Sequence, residues 1–368
     1  AVCFALLLGG LWSRAYYIQI MQGDKLARKA NRQYWAKHEL EGKRGEIQDR
    51  HGNLLAKSVE AYSVYTRPEK VRASAKTAEI VTERLNISKD EVLKKLKQRD
   101  NFVWIERKIG DIEARRLKEA QLQGIYLTTE SRRFYPQGQL AGQLLGFVGI
   151  DNQGLEGLEL AFDSYLAGKD RKYILQRDAS GKLLYDSVQP GAATCGQDLV
   201  LTLDSRLQMS AEQALGKVVR KFKANYGMCL VVEVSSGEIL AWAHYPRFNP
   251  NNYQDSSPSR WRNKIAMDAF EPGSTMKPFV VAAALEENVC KPEDIYFCEN
   301  GKWMQAGHKI RDTHEYGWLT VNKIIRYSSN IGAAKIGMQL GAQKYHNYLL
   351  NLGFGQSTEL PLPGESQG

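Results

Sequence analysis

The chain has 368 residues, 43% of them hydrophobic and 25% charged, with a formal net charge of +9. That length suits about two domains, and the composition excludes a disordered, collagen-like or low-complexity protein. The sequence has no zinc-finger spacing and no Lys/Arg run interleaved with aromatics, so the positive balance reads as a solvated basic surface, with no nucleic acid implied.

Residues 1–12 are almost wholly apolar, and Arg14 is the first charged residue. A helix of that length spans ~18 Å, short of a ~30 Å hydrocarbon core. With the apolar and aromatic continuation through Ile20, residues 1–21 read as the C-terminal part of a transmembrane anchor. A buried N-terminal helix or a signal-peptide remnant is the other reading. Residues 24–34 are polar and helical in pattern, and 43–56 read as two short strands about an Asp/Gly/Asn-bearing turn. The alternation at 62–66 continues as strand. Two helices over 76–99 break near 86–88, with Ser88 as a cap. A strand at 102–109, a charged helix at 111–123 ended by Gly124, and a strand at 125–129 follow. Residues 132–136 lead into a glycine-rich stretch through Gly154. Residues 155–166 read as one helix, and 171–187 as a hairpin turning at Ser180 and Gly181. The small, turn-rich residues 189–196 mark a domain boundary.

The second domain opens on a strand at 198–203. Asp204 caps a helix over 205–223, and Leu207, Ala211, Leu215, Val218 and Phe222 fall at helical spacing, which predicts them in the core. Residues 228–234 and 238–244 form a hairpin across 235–237. Residues 246–262 are rich in Asn, Pro and Ser, and a substrate-facing loop would fit there. The predicted fold is α+β, with helices against an antiparallel sheet. Cys3, Cys195, Cys229, Cys290 and Cys298 contain no C-x-x-C pair, so no metal cluster is expected. Cys290 and Cys298 either form a disulfide in an oxidising compartment or stand as buried thiols.

The chemistry concentrates at Ser274 and Lys277, which follow the turn residues Pro272 and Gly273 and precede an apolar, Ala-rich run over 280–285. The run reads as a helix with Ser274 or Thr275 at its N-terminus, so Lys277 lies one turn from Ser274 on the same face. Ser-x-x-Lys alone is a weak signal, since a helix cap and a solvated lysine produce it too. Here the lysine precedes Pro278 and a strongly apolar turn, which places it at the start of a buried helix. Burial and the positive end of the helix lower the pKa of such a lysine, and a neutral amine can take the serine proton. Attack by Ser274 on a carbonyl would set the oxyanion near the serine's own N–H. Ser328 and Asn330 lie on a second element, after a helical stretch at 321–326. Ser328 could relay a proton to a leaving amine, and Asn330 could hold a substrate amide or Lys277. Ser-x-Asn is also a common cap, and Asn330 could simply start a helix over 331–340.

Together these residues resemble the penicillin-binding transpeptidases, which carry Ser-x-x-Lys, a Ser-x-Asn-type motif and Lys-Thr-Gly. The likeness extends to the class B, monofunctional and membrane-anchored type. Residues 44–56 match Arg-Gly-x-Ile-x-Asp-Arg-x-Gly-x-x-Leu-Ala, and Arg133, Phe134, Tyr135 and Pro136 match a second motif. A third match is Gly154-Leu155-Glu156-Gly157-Leu158-Glu159 with Leu166 and Gly168. The stretch 246–251 is closer to the septal, division-specific branch than to the elongation branch. The resemblance implies an anchor at 1–21, an elongated α+β non-catalytic pedestal (dimerisation-type) at 22–190, and a β-lactamase-like transpeptidase domain at 195–368 that is C-terminally incomplete. It further implies that Ser274 is the acylated nucleophile, Lys277 its base, and Ser328 and Asn330 the substrate-binding second motif. The substrate would be a peptidoglycan stem peptide ending D-Ala-D-Ala, with β-lactams acylating the same serine and no cofactor needed. The implied setting is the bacterial cytoplasmic membrane, with the catalytic domain outside and a membrane glycan polymerase (FtsW-like) and small bitopic division proteins as partners. Lys followed by Ser or Thr and then Gly does not occur, and its expected place lies beyond Gly368. A β-lactamase-like hydrolase, or a membrane-anchored sensor or division scaffold without turnover, remain the competing readings.

Overall fold

The computed structural model describes residues 2–26, 35–40, 42–169, 171–177, 183–184 and 195–367. The chain forms two compact units, Ala1–Trp261 and Arg262–Gly368. The strands of the first unit are, in chain order, β1 (Trp35–Leu40), β2 (Ile47–Gln48), β3 (Leu54–Thr66), β4 (Val103–Ile109), β5 (Ile125–Phe134), β6 (Arg171–Arg177), β7 (Leu183–Leu184), β8 (Leu199–Val200), β9 (Gly227–Val232) and β10 (Ile239–Tyr245).

The long strand β3 is the spine of the main sheet. It pairs antiparallel with β5 along residues 57–66, with β4 toward its C-terminal end and with β2 at its start, and β8 joins β2 in parallel. Three amphipathic helices, Ser74–Leu85, Lys89–Leu96 and Asp111–Glu119, provide the apolar face that covers this sheet. Ala78, Val81, Val92, Leu96 and Leu117 pack with Val64, Ile105 and Ile125 in one core. Burying each large aliphatic there contributes roughly 1.5–3 kcal/mol. A second sheet runs β1-β6-β7, but the expected turn at Ser180 and Gly181, the boundary over 189–194 and most of 24–34 fall outside the described residues.

Val2–Tyr16 is a 15-residue helix that continues into a π-helical turn, Tyr17–Met21. Among the described residues no helix is long and apolar enough to cross a membrane.

Asp204 caps the helix Ser205–Phe222 as expected, its carboxylate accepting the amides of Arg206 at 2.8 Å and Leu207 at 3.1 Å. The buried face of that helix departs from the prediction. Ser205, Gln208, Glu212, Gly216 and Val219 are buried, Ala211 and Leu215 are half-buried, and Leu207, Val218 and Phe222 are exposed. Hydrogen bonds decide the rotation of the helix. Gln208 bonds both the amide and the carbonyl of Trp242 on β10, and Glu212 accepts the Ala141 amide at 2.8 Å. A polar side chain so satisfied is buried at little cost, and an apolar count cannot anticipate it.

The expected helix over 155–166 is two short ones, Gly157–Ala161 and Asp163–Leu166. Asp163 is drawn out of line because it accepts from the Gly154 amide and from Arg44. The expected loop at 246–262 is tied down in its first half, while residues 257–260 are exposed. Phe248 is buried, and Tyr253 stacks on Phe147 with ring centroids 4.2 Å apart.

The motif residues of the first unit converge on buried charge. Glu159 accepts from Arg44 Nε and from Arg133 Nε, each at 2.6 Å, and all three side chains are almost fully buried. Arg44 also donates to Asp163 Oδ1 at 2.6 Å and Arg133 to the Gly45 carbonyl at 2.5 Å. Asp49 ties the β2–β3 turn to the start of the Ser205 helix. Its carboxylate accepts the amides of His51 and Asn53, the Asn53 side chain and, at 2.6 Å, the Ser205 hydroxyl. Burial by itself would raise the Asp49 pKa, but the hydrogen bonds from Asn53 and Ser205 outweigh it and hold the carboxyl well below the ordinary range.

In the second unit an apolar helix, Lys277–Glu286, sits among the helices Val321–Tyr327, Asn330–Leu340 and Ala342–Asn351. Two small antiparallel pairs flank them: β11 (Ile295–Phe297) with β14 (Trp318–Thr320), and β12 (Lys302–Gln305) with β13 (His308–Arg311). Val280, Val281, Ala283 and Ala284 are buried against Ile324, Ile331, Ile336 and Leu340. Cys290 and Cys298 belong to this core as free thiols.

Replacing Glu159 with Ala leaves two buried guanidiniums facing each other, with an expected loss of about 3–5 kcal/mol in denaturant unfolding. Acid unfolding carries a second expectation. Because the folded pKa of Asp49 is depressed, its contribution is complete above the unfolded value of ~4 and is lost as pH falls toward the folded one. Asp49→Asn removes that part of the acid dependence, read as a flatter plot of unfolding midpoint against pH below about 4.

Candidate active site

Ser274 lies in a 3-10 turn, Gly273–Met276, directly before the Lys277–Glu286 helix. Gly273 takes φ of 60°, the left-handed conformation that turns the chain after Pro272. Neither Ser274 nor Thr275 caps the α-helix, contrary to the expectation. The Thr275 hydroxyl donates back to the Pro272 carbonyl at 2.6 Å, and the Lys277 amide donates to the Ser274 carbonyl. With Pro278 lacking an amide, the helix start has one fewer orphan donor to satisfy, and the tighter turn serves. In a 3-10 turn residues three apart eclipse, so Ser274 and Lys277 share one side of the chain. Ser274 is exposed, and its hydroxyl has no hydrogen-bond partner among the described residues.

The structure brings Lys277 to Ser328. The Lys277 amine donates to the Ser328 carbonyl at 2.5 Å and to Ser328 Oγ at 3.0 Å, across 51 residues of sequence. Ser328 ends the Val321–Tyr327 helix in the left-handed conformation, with φ of 54° and ψ of 43°. That conformation costs a non-glycine residue about 1–2 kcal/mol, and it swings both serine oxygens out of the helix line toward the amine. Asn330 is not joined to Lys277. Its side-chain amide donates to the Arg311 carbonyl at 2.7 Å, and its Oδ1 takes no hydrogen bond among the described residues, leaving an exposed acceptor. The Asn330–Leu340 helix is capped by Ser329, whose hydroxyl oxygen accepts the Gly332 amide at 2.9 Å.

Burial pushes the Lys277 amine below its ordinary pKa, and the nearby Asp312 carboxylate partly opposes that shift. An open apolar groove of about 540 Å³ runs beside the lysine, lined by Met276, Val280, Ala333, Gly337, Met338 and Tyr345 among others. Sequence reasoning missed Asp312. It is one acidic residue in a polar loop, and no spacing rule separates it from its neighbours. Its position is built by Gly301, whose carbonyl accepts the Asp312 amide at 3.1 Å. Gly301 has φ of 81°, and a Cβ there would come within 2.8 Å of the His314 carbonyl oxygen.

The comparisons with known proteins fit these observations. Residues 227–368 match the model described as penicillin binding protein transpeptidase domain, and residues 39–201 match the penicillin-binding protein dimerisation domain. The chain belongs to the penicillin-binding proteins that join these two domains. Among particular relatives, it is 31% identical over 373 residues to the peptidoglycan D,D-transpeptidase FtsI of Escherichia coli K12, covering 100% of this chain and 63% of that protein. It is 33% identical over 363 residues to the stage V sporulation protein D of Bacillus subtilis, covering 97% of this chain and 56% of the relative. The crystal structure of penicillin binding protein 2X from Streptococcus thermophilus superposes with a TM-score of 0.67 at 27% identity, over 90% of this chain and 54% of that one. The chain thus spans less than two thirds of the length of these relatives.

Competitive acetylation of the full-length protein across a pH series, read by mass spectrometry, is expected to give Lys277 a titration midpoint below the 10.5 of an ordinary lysine. A midpoint at or above that value would contradict the desolvation described.

Proposed function

We propose that this protein is a peptidoglycan D,D-transpeptidase that works through an acyl-enzyme on Ser274. The observation that carries the reading is the partly buried Lys277 amine, held on both oxygens of Ser328 and one 3-10 turn from a serine hydroxyl that has no partner among the described residues. A neutral amine keeps two N–H groups, one for each Ser328 oxygen, and its lone pair is the acceptor that this reading assigns to the Ser274 proton. Ser274 Oγ then forms a bond to the carbonyl carbon of the penultimate D-Ala, with the developing oxyanion near the serine's own amide. The C–N bond to the terminal D-Ala breaks, and the leaving amine receives the proton from Lys277 by way of the Ser328 hydroxyl. An amine of a neighbouring stem attacks the ester, and Ser274 regains its proton. Asn330 Oδ1 accepts an N–H of the bound peptide. A β-lactam follows the first step and stays attached.

The location is part of the same proposal. Phe4, Leu11, Trp12, Ile20 and Met21 are exposed on the N-terminal helix and the π-helical turn after it, which supports residues 1–21 as part of a membrane anchor, with the pedestal at 22–190 and the catalytic domain from 195 outside the cytoplasmic membrane. A septal role rests on the name FtsI borne by a relative. A membrane glycan polymerase and bitopic division proteins follow from that role as partners.

Fluorescent penicillin is expected to label full-length protein covalently, and Ser274→Ala to abolish the label. Lys277→Met is expected to slow acylation by ~10²- to 10⁴-fold, the usual contribution of a positioned base. Rapid release of the label as hydrolysed drug would favour a β-lactamase-like hydrolase. Unchanged cross-linking in cells carrying Ser274→Ala would favour a scaffold.

A further inference from the structure

We propose that Asp312 is a positioning residue of this site: its single carboxylate fixes the turn that presents Ser328 to Lys277 and Asn330 to substrate. The proposal rests on the Ser274–Lys277 reading above. Asp312 Oδ2 accepts the Ser329 hydroxyl at 2.6 Å, while Oδ1 accepts the amides of Asn330 at 2.5 Å and Ile331 at 3.1 Å. These donors are the cap and the first two amides of the Asn330–Leu340 helix, so a negative group there also meets the positive end of its dipole. The carboxylate thereby holds Ser329, the central residue of Ser-x-Asn, and the backbone of the asparagine that follows it. Ser328 is in a left-handed conformation that a serine does not favour, and it stays there only while its surroundings insist. On one side Gly332 lets the two helices meet, since a Cβ would lie 2.6 Å from the Ile324 side chain. On the other side the Asp312 carboxylate pins Ser329 and Asn330. The adjoining Arg311 carbonyl takes the Asn330 side chain at 2.7 Å, so the same short loop holds the Asn330 side chain and the turn directly after Ser328.

Asp312 also faces Lys277 electrostatically, and its charge favours the ammonium form. Tyr345, which lines the groove beside the lysine, donates to the Met276 carbonyl at 3.5 Å, and the helices packed against the Lys277 helix also carry Arg326, Tyr327, Lys335, Lys344, His346 and Tyr348. Geometry and charge therefore pull in opposite directions. The carboxylate builds the site, yet it restrains the loss of the lysine proton that the first step requires. Two substitutions separate these effects. Asp312→Asn keeps an oxygen for the Asn330 and Ile331 amides and removes the charge, whereas Asp312→Ala removes both.

The test is the second-order rate of acylation by a penicillin, followed against pH in the full-length protein, with folding checked by circular dichroism. Asp312→Ala is expected to be slower by about 10- to 100-fold at every pH, the scale of a small misplacement of reacting groups. Asp312→Asn is expected to recover most of that rate and to move the acid limb of the profile to lower pH. Wild-type rates in Asp312→Ala would overturn the proposal, as would an Asp312→Asn variant that is as slow as Asp312→Ala with its acid limb unmoved. If the alanine variant does not fold, the asparagine variant decides by the direction of its limb, and an unmoved or upward-shifted limb overturns the proposal. The Ser274→Ala control separates the two levels: label persisting in that variant removes the underlying reading, whereas label lost there with indifferent Asp312 variants removes only the role of Asp312.

Discussion

A lysine amine that has lost part of its water must be met by oxygen, and the second unit is arranged around that requirement. The apolar helix carrying Lys277 is buried along Val280, Val281, Ala283 and Ala284, so the lysine stem leaves a dry surface. The two Ser328 oxygens replace the missing water. Supplying both from one residue demands the left-handed turn between two helices. That turn in turn demands Gly332 for close approach and a carboxylate for the helix-start amides that follow. The result is an amine whose proton is loosened by burial and retained by one charge, the balance on which the proposed role of Lys277 as a base rests.

The first unit meets the same rule with different groups. A buried charge is tolerated only with a full set of partners. Glu159 has two guanidiniums, Asp49 has donors from three residues, and Glu212 has the Ala141 amide, Gln208 and Arg247. These contacts join segments far apart in sequence: Arg44 and Arg133 meet at Glu159, and Asp49 reaches Ser205. The family motifs of the pedestal are thus a packing code. Within them Arg44, Asp49, Arg133 and Glu159 are buried and partnered, whereas Arg50 lies at the surface beside Glu238.

Much of this was legible before the fold was seen. The β9–β10 hairpin, the Asp204 cap, the paired helices before β4, and the helix after Ser329 all stand close to their expected positions, because turn residues, caps and periodicity act locally. Ser274 and Lys277 were legible for the same reason: residues three apart share one side of the chain whichever helix type forms. The misses share one cause. Leu207, Val218 and Phe222 were expected inside, but Gln208 and Glu212 occupy the buried face because distant backbone groups bond them. Asp163 breaks the expected 155–166 helix because Arg44 and Gly154 claim its side chain. Asp312 has no local signature at all, since its three donors begin at Ser329.

By itself, then, the sequence determined the class of protein, the order of its segments and the serine–lysine pair. Each of these is a matter of residue type at short range or of motif order along the chain. Only the tertiary structure decided which groups complete the pair. Lys277 and Ser328 are 51 residues apart, and a hydrogen bond between them depends on a strained turn, a glycine contact and a carboxylate from a third segment. Hydrogen bonds are local in space and indifferent to sequence distance, so the partners of a buried polar group become known only when the chain is folded.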